Sequence, residues 1–257
     1  VDRSIDTPLP FTRNNLINDL NLIEIFRELS KNKNIKKFIH INTDEIFGSL
    51  KKGKAKISSK LNPSSPYSAS KSFMQLYTYA LRKTYNSKIL LINLCNNYGP
   101  YQFHEKFIPT VILNYLFGKK IPIYGKGKNI REWLFVNDTS EIIYKLVINK
   151  NISSGDYNLG SGQFSTNNDL VKNIYKILKE RKLINKKFKD TINFVKDRPG
   201  HDFRYALDSS KIKKDINWET KTKLKQGLTQ TVDWYLANKE WVKESLRKYK
   251  GKRLGNL

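Results

Sequence analysis

The sequence predicts an α/β protein built on a doubly wound parallel sheet. Three observations carry that expectation. Residues 36–42 and 88–94 are short apolar runs bounded by polar turns, as strands covered on both faces require. Patterns of helical period lie between and around them, beginning with 11–30, where Leu16, Leu20, Ile23 and Leu29 recur after Pro8 and Pro10. Polar residues follow each strand directly: Thr43-Asp44-Glu45 after the first and Asn96-Asn97-Tyr98-Gly99-Pro100 after the second. Strand ends of this kind are where open α/β sheets place their ligands.

In order along the chain, 49–62 reads as a surface loop rich in Lys and Ser. Pro66 favours a helix entrance, so Tyr67 opens a helix and Lys71 lies one turn further up the same face. A phenol and an ammonium then share one pocket, and the cation is expected to lower the tyrosine pKa. Tyr and Lys four apart are common on exposed helices; the two strand ends nearby give this pair its weight. Gly99-Pro100 ends the second strand, and 105–117 reads as a helix with Ile108, Val111, Ile112 and Leu116. Residues 121–125 and 132–136 read as short strands around a turn with Gly125 and Gly127. Asp138 is the expected N-cap of a helix to about 148, 156–160 a returning sheet strand, and 168–182 a helix. Residues 194–205 hold an Arg-Pro-Gly-His loop. The stretch 222–249 reads as helical, with Trp234 and Trp241 seven apart on one packed face.

The chain has 257 residues and a net charge of +25, carried mostly by Lys spread along its whole length. That dispersal fits solvated helix faces, so nucleic acid is not the expected partner; the alternative reading of the charge is a surface that attracts an acidic ligand. Cys95 is the single cysteine; it follows an apolar strand and reads as a buried, inert thiol. No apolar run approaches the ~20 residues of a membrane span, which predicts no membrane partner and a cytoplasmic location. No His or Cys cluster suggests a metal.

The segments Val1-Asp2-Arg3-Ser4-Ile5, Thr43-Asp44-Glu45, Ser64-Ser65-Pro66-Tyr67-Ser68-Ala69-Ser70-Lys71, Asn96-Asn97-Tyr98-Gly99-Pro100-Tyr101, Glu105-Lys106-Phe107-Ile108-Pro109, Arg131-Glu132-Trp133-Leu134 and Arg198-Pro199-Gly200-His201-Asp202 occur in this order. In them the sequence resembles the extended short-chain dehydrogenase/reductase superfamily and, within it, the dTDP-glucose 4,6-dehydratase family. The resemblance implies a Rossmann-like sheet with a smaller C-terminal α/β substrate-binding domain. Residues 1–98 would be the remainder of the NAD-binding domain, with 138–168 returning to it; 99–137 and 169–257 would mainly bind substrate. It also implies NAD as cofactor, a nucleotide sugar as substrate, and a homodimer built on the helices at 11–30 and after Tyr67.

The reaction so implied oxidises sugar carbon 4, removes water across carbons 5 and 6, and returns hydride to carbon 6. Tyr67 would take the carbon 4 hydroxyl proton. Lys71 would lower its pKa and hold the nicotinamide ribose, and Thr43 would hydrogen-bond the same hydroxyl. Elimination needs a base and an acid, for which Glu45 and Asp44 are the candidates; mutual repulsion would raise one of their pKa values. Asn97 would face the nicotinamide, and Asn15 or Asn14 belongs to the cofactor site. Asn96, Lys106, Phe107, Arg131 and Arg198 would hold the nucleotide sugar, whose diphosphate suits Arg and amide donors. Pro122, Tyr124, Asn167 and His201 are further carry-overs from the family.

Two alternatives stay open, another nucleotide-sugar epimerase or decarboxylase of the superfamily and an inactive remnant serving only as a dimerisation module. A glycine-rich phosphate turn, G-x-x-G-x-x-G, is absent from the sequence, and roughly the first half of a Rossmann sheet is expected to be missing. The 257 residues alone are therefore expected to be poorly soluble, to bind NAD weakly and to show no dehydratase activity. Calorimetry of the isolated chain with NAD checks this; micromolar affinity would overturn it.

Overall fold

The computed structural model describes residues 1–31 and 35–248. A short helix α1 (Asp2–Asp6) leads into the long α2 (Pro8–Lys31). α2 starts three residues before the predicted stretch and takes Pro8 and Pro10 into its first turn. Proline is tolerated there because its missing N–H would have had no intrahelical partner. Strand β1 (Phe38–Thr43) follows, then a 3-10 turn at Asp44–Phe47, helix α3 (Pro66–Tyr85) and strand β2 (Ile89–Leu94). α3 begins where the sequence places it. Ser65 caps it, accepting from Ser68 N at 3.1 Å, Ser68 Oγ accepts in return from Ser65 N at 3.0 Å, and Pro66 occupies the first turn.

Next come β3 (Asn96–Tyr98), α4 (Phe107–Leu116), β4 (Ile121–Tyr124), β5 (Ile130–Phe135), α5 (Val136–Ile148) and β6 (Gly155–Leu159). The chain continues through β7 (Phe164–Thr166), α6 (Asn167–Glu180), α7 (Phe188–Thr191) and β8 (Ile192–Val195). Three helices close it: α8 (Ser210–Ile216), α9 (Leu224–Ala237) and α10 (Lys239–Lys248).

The central sheet is parallel in the order β1-β2-β6, as an α/β fold requires. Asn42, Asn93 and Asn158 stand side by side across its three strands. Asn93 Nδ2 donates to Asn158 Oδ1 at 3.0 Å, and Asn158 Nδ2 donates to the Ala55 carbonyl at 2.8 Å. This buried amide row fixes the register one residue before Thr43, where the site begins. α2 and α3 cover one face of the sheet through Ile23, Phe26, Met74, Leu81 and Ile89. A second apolar core gathers β2, β6 and α5 with Trp218, and a third, larger one joins α4, α6 and α9 to β3, β4 and β5.

Beyond the central sheet the sequence expectations need four corrections. β4 and β5 do not face each other around their glycine turn: β4 pairs in parallel with β8, while β5 lies between β3 and β7. β8 escaped notice because Asn193 interrupts it and Phe194 is 53% exposed, so its pattern carries no buried alternation. Asp138 does not cap α5, which starts at Val136. Its carboxylate accepts instead from the backbone N–H groups of Lys221 and Thr222, at 3.1 and 3.0 Å, and holds the approach to α9. The tail is two helices broken at Asn238, with Trp234 and Trp241 still packed at 5.0 Å between ring centroids; Tyr249 lies outside the described residues.

Gly227 in α9 lets that helix approach β3 and β5, since a Cβ there would overlap the buried Tyr98 hydroxyl and crowd Phe135. Alanine would gain up to about 1 kcal/mol in helix propensity, but overpacking a rigid ring costs about 1–3 kcal/mol. Gly227→Ala should therefore lower the denaturation midpoint; an increase would show that the helix can shift without penalty.

Candidate active site

At the end of β1 the chain turns at once into the 3-10 helix, with Thr43 Oγ1 accepting from Glu45 N at 3.3 Å. The tight turn redirects successive side chains, so the two carboxyl groups do not alternate across a sheet as on an extended strand. Asp44 points inward and is 3% exposed, with only the Thr43 hydroxyl, at 3.3 Å, donating to its Oδ1. Glu45 faces a cavity of about 320 Å³. Tyr67, at the start of α3, lines the same cavity, its ring edge-on to Phe11 at 6.1 Å between centroids.

Opposite the carboxyl groups stand two guanidinium groups. Arg131 is buried. Carbonyl oxygens of Ile130 and Asp202 accept from it at 2.9 and 2.8 Å, and it lies over the Tyr205 ring at 4.3 Å. Arg198 donates to the Asp2 carboxylate. At the rim, Arg3 is paired with Glu105 at 2.5 Å, and Lys106 Nζ stands 3.6 Å from Glu105. Asn96, Phe107, Tyr124, Asn167 and His201 complete the expected part of the wall. His201 Nδ1 is 2.6 Å from Asp197, and burial holds its pKa down to about 4, so the ring is neutral near pH 7.

Burial dominates the ionisation of the site. It raises Asp44 well above the usual carboxyl range, and the neighbouring Glu45 pushes in the same direction. Burial also raises Glu45, against the pull of Arg198 and Arg131. For Tyr67 the expected lowering is reversed. Burial first, and then the Glu45 charge, raise its pKa, only partly offset by a hydrogen bond with the Thr43 side chain. Lys71 is turned towards Asp19 of α2, with Nζ 3.4 Å from Oδ2. A desolvated phenol beside carboxyl groups outweighs the helix-spacing argument that predicted a phenolate.

A family profile described as GDP-mannose 4,6 dehydratase matches residues 1–231. The chain belongs to this dehydratase family. The dTDP-glucose 4,6-dehydratase of Escherichia coli is 41% identical over 277 residues, an alignment that spans 99% of this chain and 76% of that enzyme. The Xanthomonas campestris pv. campestris enzyme of the same name is 40% identical, with 99% and 75% covered. Among solved structures, dTDP-glucose 4,6-dehydratase from Streptomyces venezuelae, with NAD and TYD bound, superposes with a TM-score of 0.84. It is 34% identical, and the match covers 94% of this chain and 71% of that one. The Bacillus anthracis enzyme in complex with NAD gives 0.82 at 38% identity, covering 93% and 72%.

Within this dehydratase the cavity brings together Glu45, Tyr67, Asn96, Lys106, Phe107, Tyr124, Arg131, Asn167, Arg198 and His201 of the expected set. The other six lie outside its wall. Thr43 and Asp44 are buried behind Glu45, and Pro122 sits on β4. Asn97 donates to the Cys95 carbonyl at 2.9 Å and accepts from Thr139. Asn15 Nδ2 donates to Ser70 Oγ at 3.3 Å, and Lys71 belongs to that same α2–α3 contact. The residue reading overlooked Arg3, Glu105, Trp133 and Tyr205 as wall residues. The first three stand inside segments already singled out, where a charge or an indole beside a site residue was the available signal.

The raised Asp44 pKa has a consequence for stability. Above about pH 4, where an unfolded aspartate ionises, folding must take up a proton or bury a charge; below it that cost is absent. Asp44→Asn should thus raise the melting temperature by several degrees at pH 7, the gain fading as pH falls below about 4. A gain independent of pH would mean that Asp44 is not strained by ionisation.

Proposed function

We propose that the protein converts dTDP-glucose to dTDP-4-keto-6-deoxyglucose. The observation that carries this reading is the meeting, at one cavity, of the Tyr67 phenol, the Glu45 carboxyl group and two guanidinium groups, with the Asp44 carboxyl buried next to Glu45 in the chain. Tyr67 accepts the proton of the carbon 4 hydroxyl, which Thr43 helps to orient. With carbon 4 a ketone, the carbon 5 proton becomes acidic. Glu45 at the cavity wall is the base for it, and Asp44, held protonated by burial, is the acid for the departing carbon 6 hydroxyl. Arg131, Arg198 and Lys106 receive the diphosphate, and Asn96, Phe107, Tyr124, Asn167, His201 and Pro122 shape the rest of the substrate site.

The donor set at α3 fits the nicotinamide ribose end of NAD. Among the described residues Lys71 Nζ has one long polar contact, to Asp19, and keeps N–H donors for ribose hydroxyls, with Tyr67 one turn away. Tyr67, Lys71, Asn97 and Asn15 would hold that end. NAD, when bound, would supply the acceptor for the carbon 4 hydride and its donor to carbon 6, while Glu45 returns to carbon 5 the proton it removed. We assign 1–98 and 138–168 to the cofactor side, and 99–137 and 169–257 mainly to the substrate side. Leu22, Ile25 and Leu29 of α2 and Phe73 and Leu76 of α3 are 42–56% exposed, which supports a homodimer through these helices. Among the described residues no helix is long and apolar enough to cross a membrane, which is compatible with a cytoplasmic enzyme.

In a version of the protein that also carries the glycine-rich phosphate turn, two substitutions separate the two halves of the reaction. Tyr67→Phe should slow the first step by about 10²- to 10⁴-fold, with no reduced cofactor appearing at 340 nm. Asp44→Asn should permit oxidation and block elimination, so that the 340 nm absorbance builds up on adding dTDP-glucose. Normal product formation by either protein would remove the role given to that residue, and turnover of UDP-sugars in place of dTDP-glucose would favour an epimerase or decarboxylase.

A further inference from the structure

α2 contributes two polar residues, one turn apart, to the start of α3. Asn15 bonds Ser70, whose own hydroxyl donates to the Tyr67 carbonyl at 2.7 Å, and Asp19 meets the Lys71 ammonium at 3.4 Å. Both members of the ion pair are largely covered, with side chains 26% and 18% exposed. Behind them His40 of β1 is 6% exposed, its Nε2 has no partner, and it is close enough to feel both charges. An ammonium on a flexible stem cannot serve a carboxylate and a phenol one turn away equally well. The carboxylate is charged, and it takes the lysine.

We propose that Asp19 is a positioning residue for Lys71, competing with Tyr67 and with ligand hydroxyls for the ammonium and drawing it away from the phenol. The inference rests on the reading of Tyr67 and Lys71 as a proton-transfer pair. The charged and titratable groups around that pair are Asp44 and Glu45 after β1, Asp19 on α2 and His40 on β1. Of these, His40 stays neutral near pH 7: burial first, and then Lys71, hold its pKa down to about 4, while Asp19 acts the other way. The Asp19 charge also disfavours the Tyr67 phenolate. Replacing it by a neutral isostere removes that repulsion and frees Lys71 to turn, and both changes favour the phenolate.

The test compares Asp19→Asn and Lys71→Met with the parent protein, first in measurements that need neither substrate nor cofactor and then in turnover by a version that also carries the glycine-rich phosphate turn. Competitive acetylation with trace acetic anhydride, read at Lys71 by peptide mass spectrometry, should accelerate several-fold in Asp19→Asn relative to other lysines. Proton NMR titration of the three histidines should show His40 moving down in Asp19→Asn and up in Lys71→Met. A packing role alone would move neither in opposite directions. In turnover, the acid limb of the pH profile should fall by about one unit in Asp19→Asn, with KM little changed. Unchanged Lys71 acetylation, or faster acetylation with an unmoved acid limb, would overturn the proposal. Loss of turnover in Tyr67→Phe tests the underlying reading separately.

Discussion

Burying two adjacent carboxyl groups where a parallel strand ends is the constraint on which the rest of the site depends. Asp44 and Glu45 cannot both be ionised there without compensation, because the surroundings that fix their geometry also remove water from them. Compensation comes from chain segments far away in sequence: Arg131 on β5 and Arg198 on the loop after β8. Each guanidinium is itself held in place, Arg131 by carbonyl oxygens and the Tyr205 ring, Arg198 by Asp2. The loop carrying Arg198 is tied back to the approach of α3, where Asp202 accepts from both Ser64 and the Tyr205 hydroxyl. One charge requirement thus joins the end of β1, the start of α3, β5 and the loop beyond β8.

The parts of this arrangement legible in the sequence are those governed by local rules. The buried strands before Thr43 and Asn96, and the capped, proline-led start of α3, follow from apolar runs and from residue types with fixed backbone preferences. Ten of the expected site residues share one cavity because strand ends and a helix start converge in any fold of this class. What could not be read was set by long-range pairing. β8 has no alternating pattern of its own and exists because β4 offers an edge. Asp138 looks like a cap, but a distant backbone claims its carboxylate. The Tyr67 pKa was misjudged for the same reason: helix spacing shows Lys71, while Asp19, Asp44 and Glu45 become its neighbours only through tertiary structure.

The same distinction separates position from protonation in the site. Backbone geometry brings Tyr67, Glu45 and Asp44 close whatever their charge, and burial then sets how readily each gives up a proton. Burial raises the Asp44 carboxyl well above its usual range and raises the Tyr67 phenol as well. A group raised by burial can be brought back only by a cation or donor that moves nearer. On α3, one turn from Tyr67, the Lys71 ammonium is held by Asp19 at 3.4 Å.

The cations of the cavity wall are mostly engaged as well. Arg198 with Asp2 and Arg3 with Glu105 are ion pairs that an anionic ligand would have to enter by exchange. Exchange differs physically from capture. A bare buried guanidinium would cost the fold several kcal/mol, whereas one already paired is stable and presents its charge only to a ligand able to replace the carboxylate. A diphosphate can do so, with two anionic groups and several acceptor oxygens for the same planar donors, while a neutral sugar cannot. Arg198, 14% exposed and paired with Asp2, is a guanidinium of this kind, whereas Arg3, 56% exposed, makes a rim contact with Glu105.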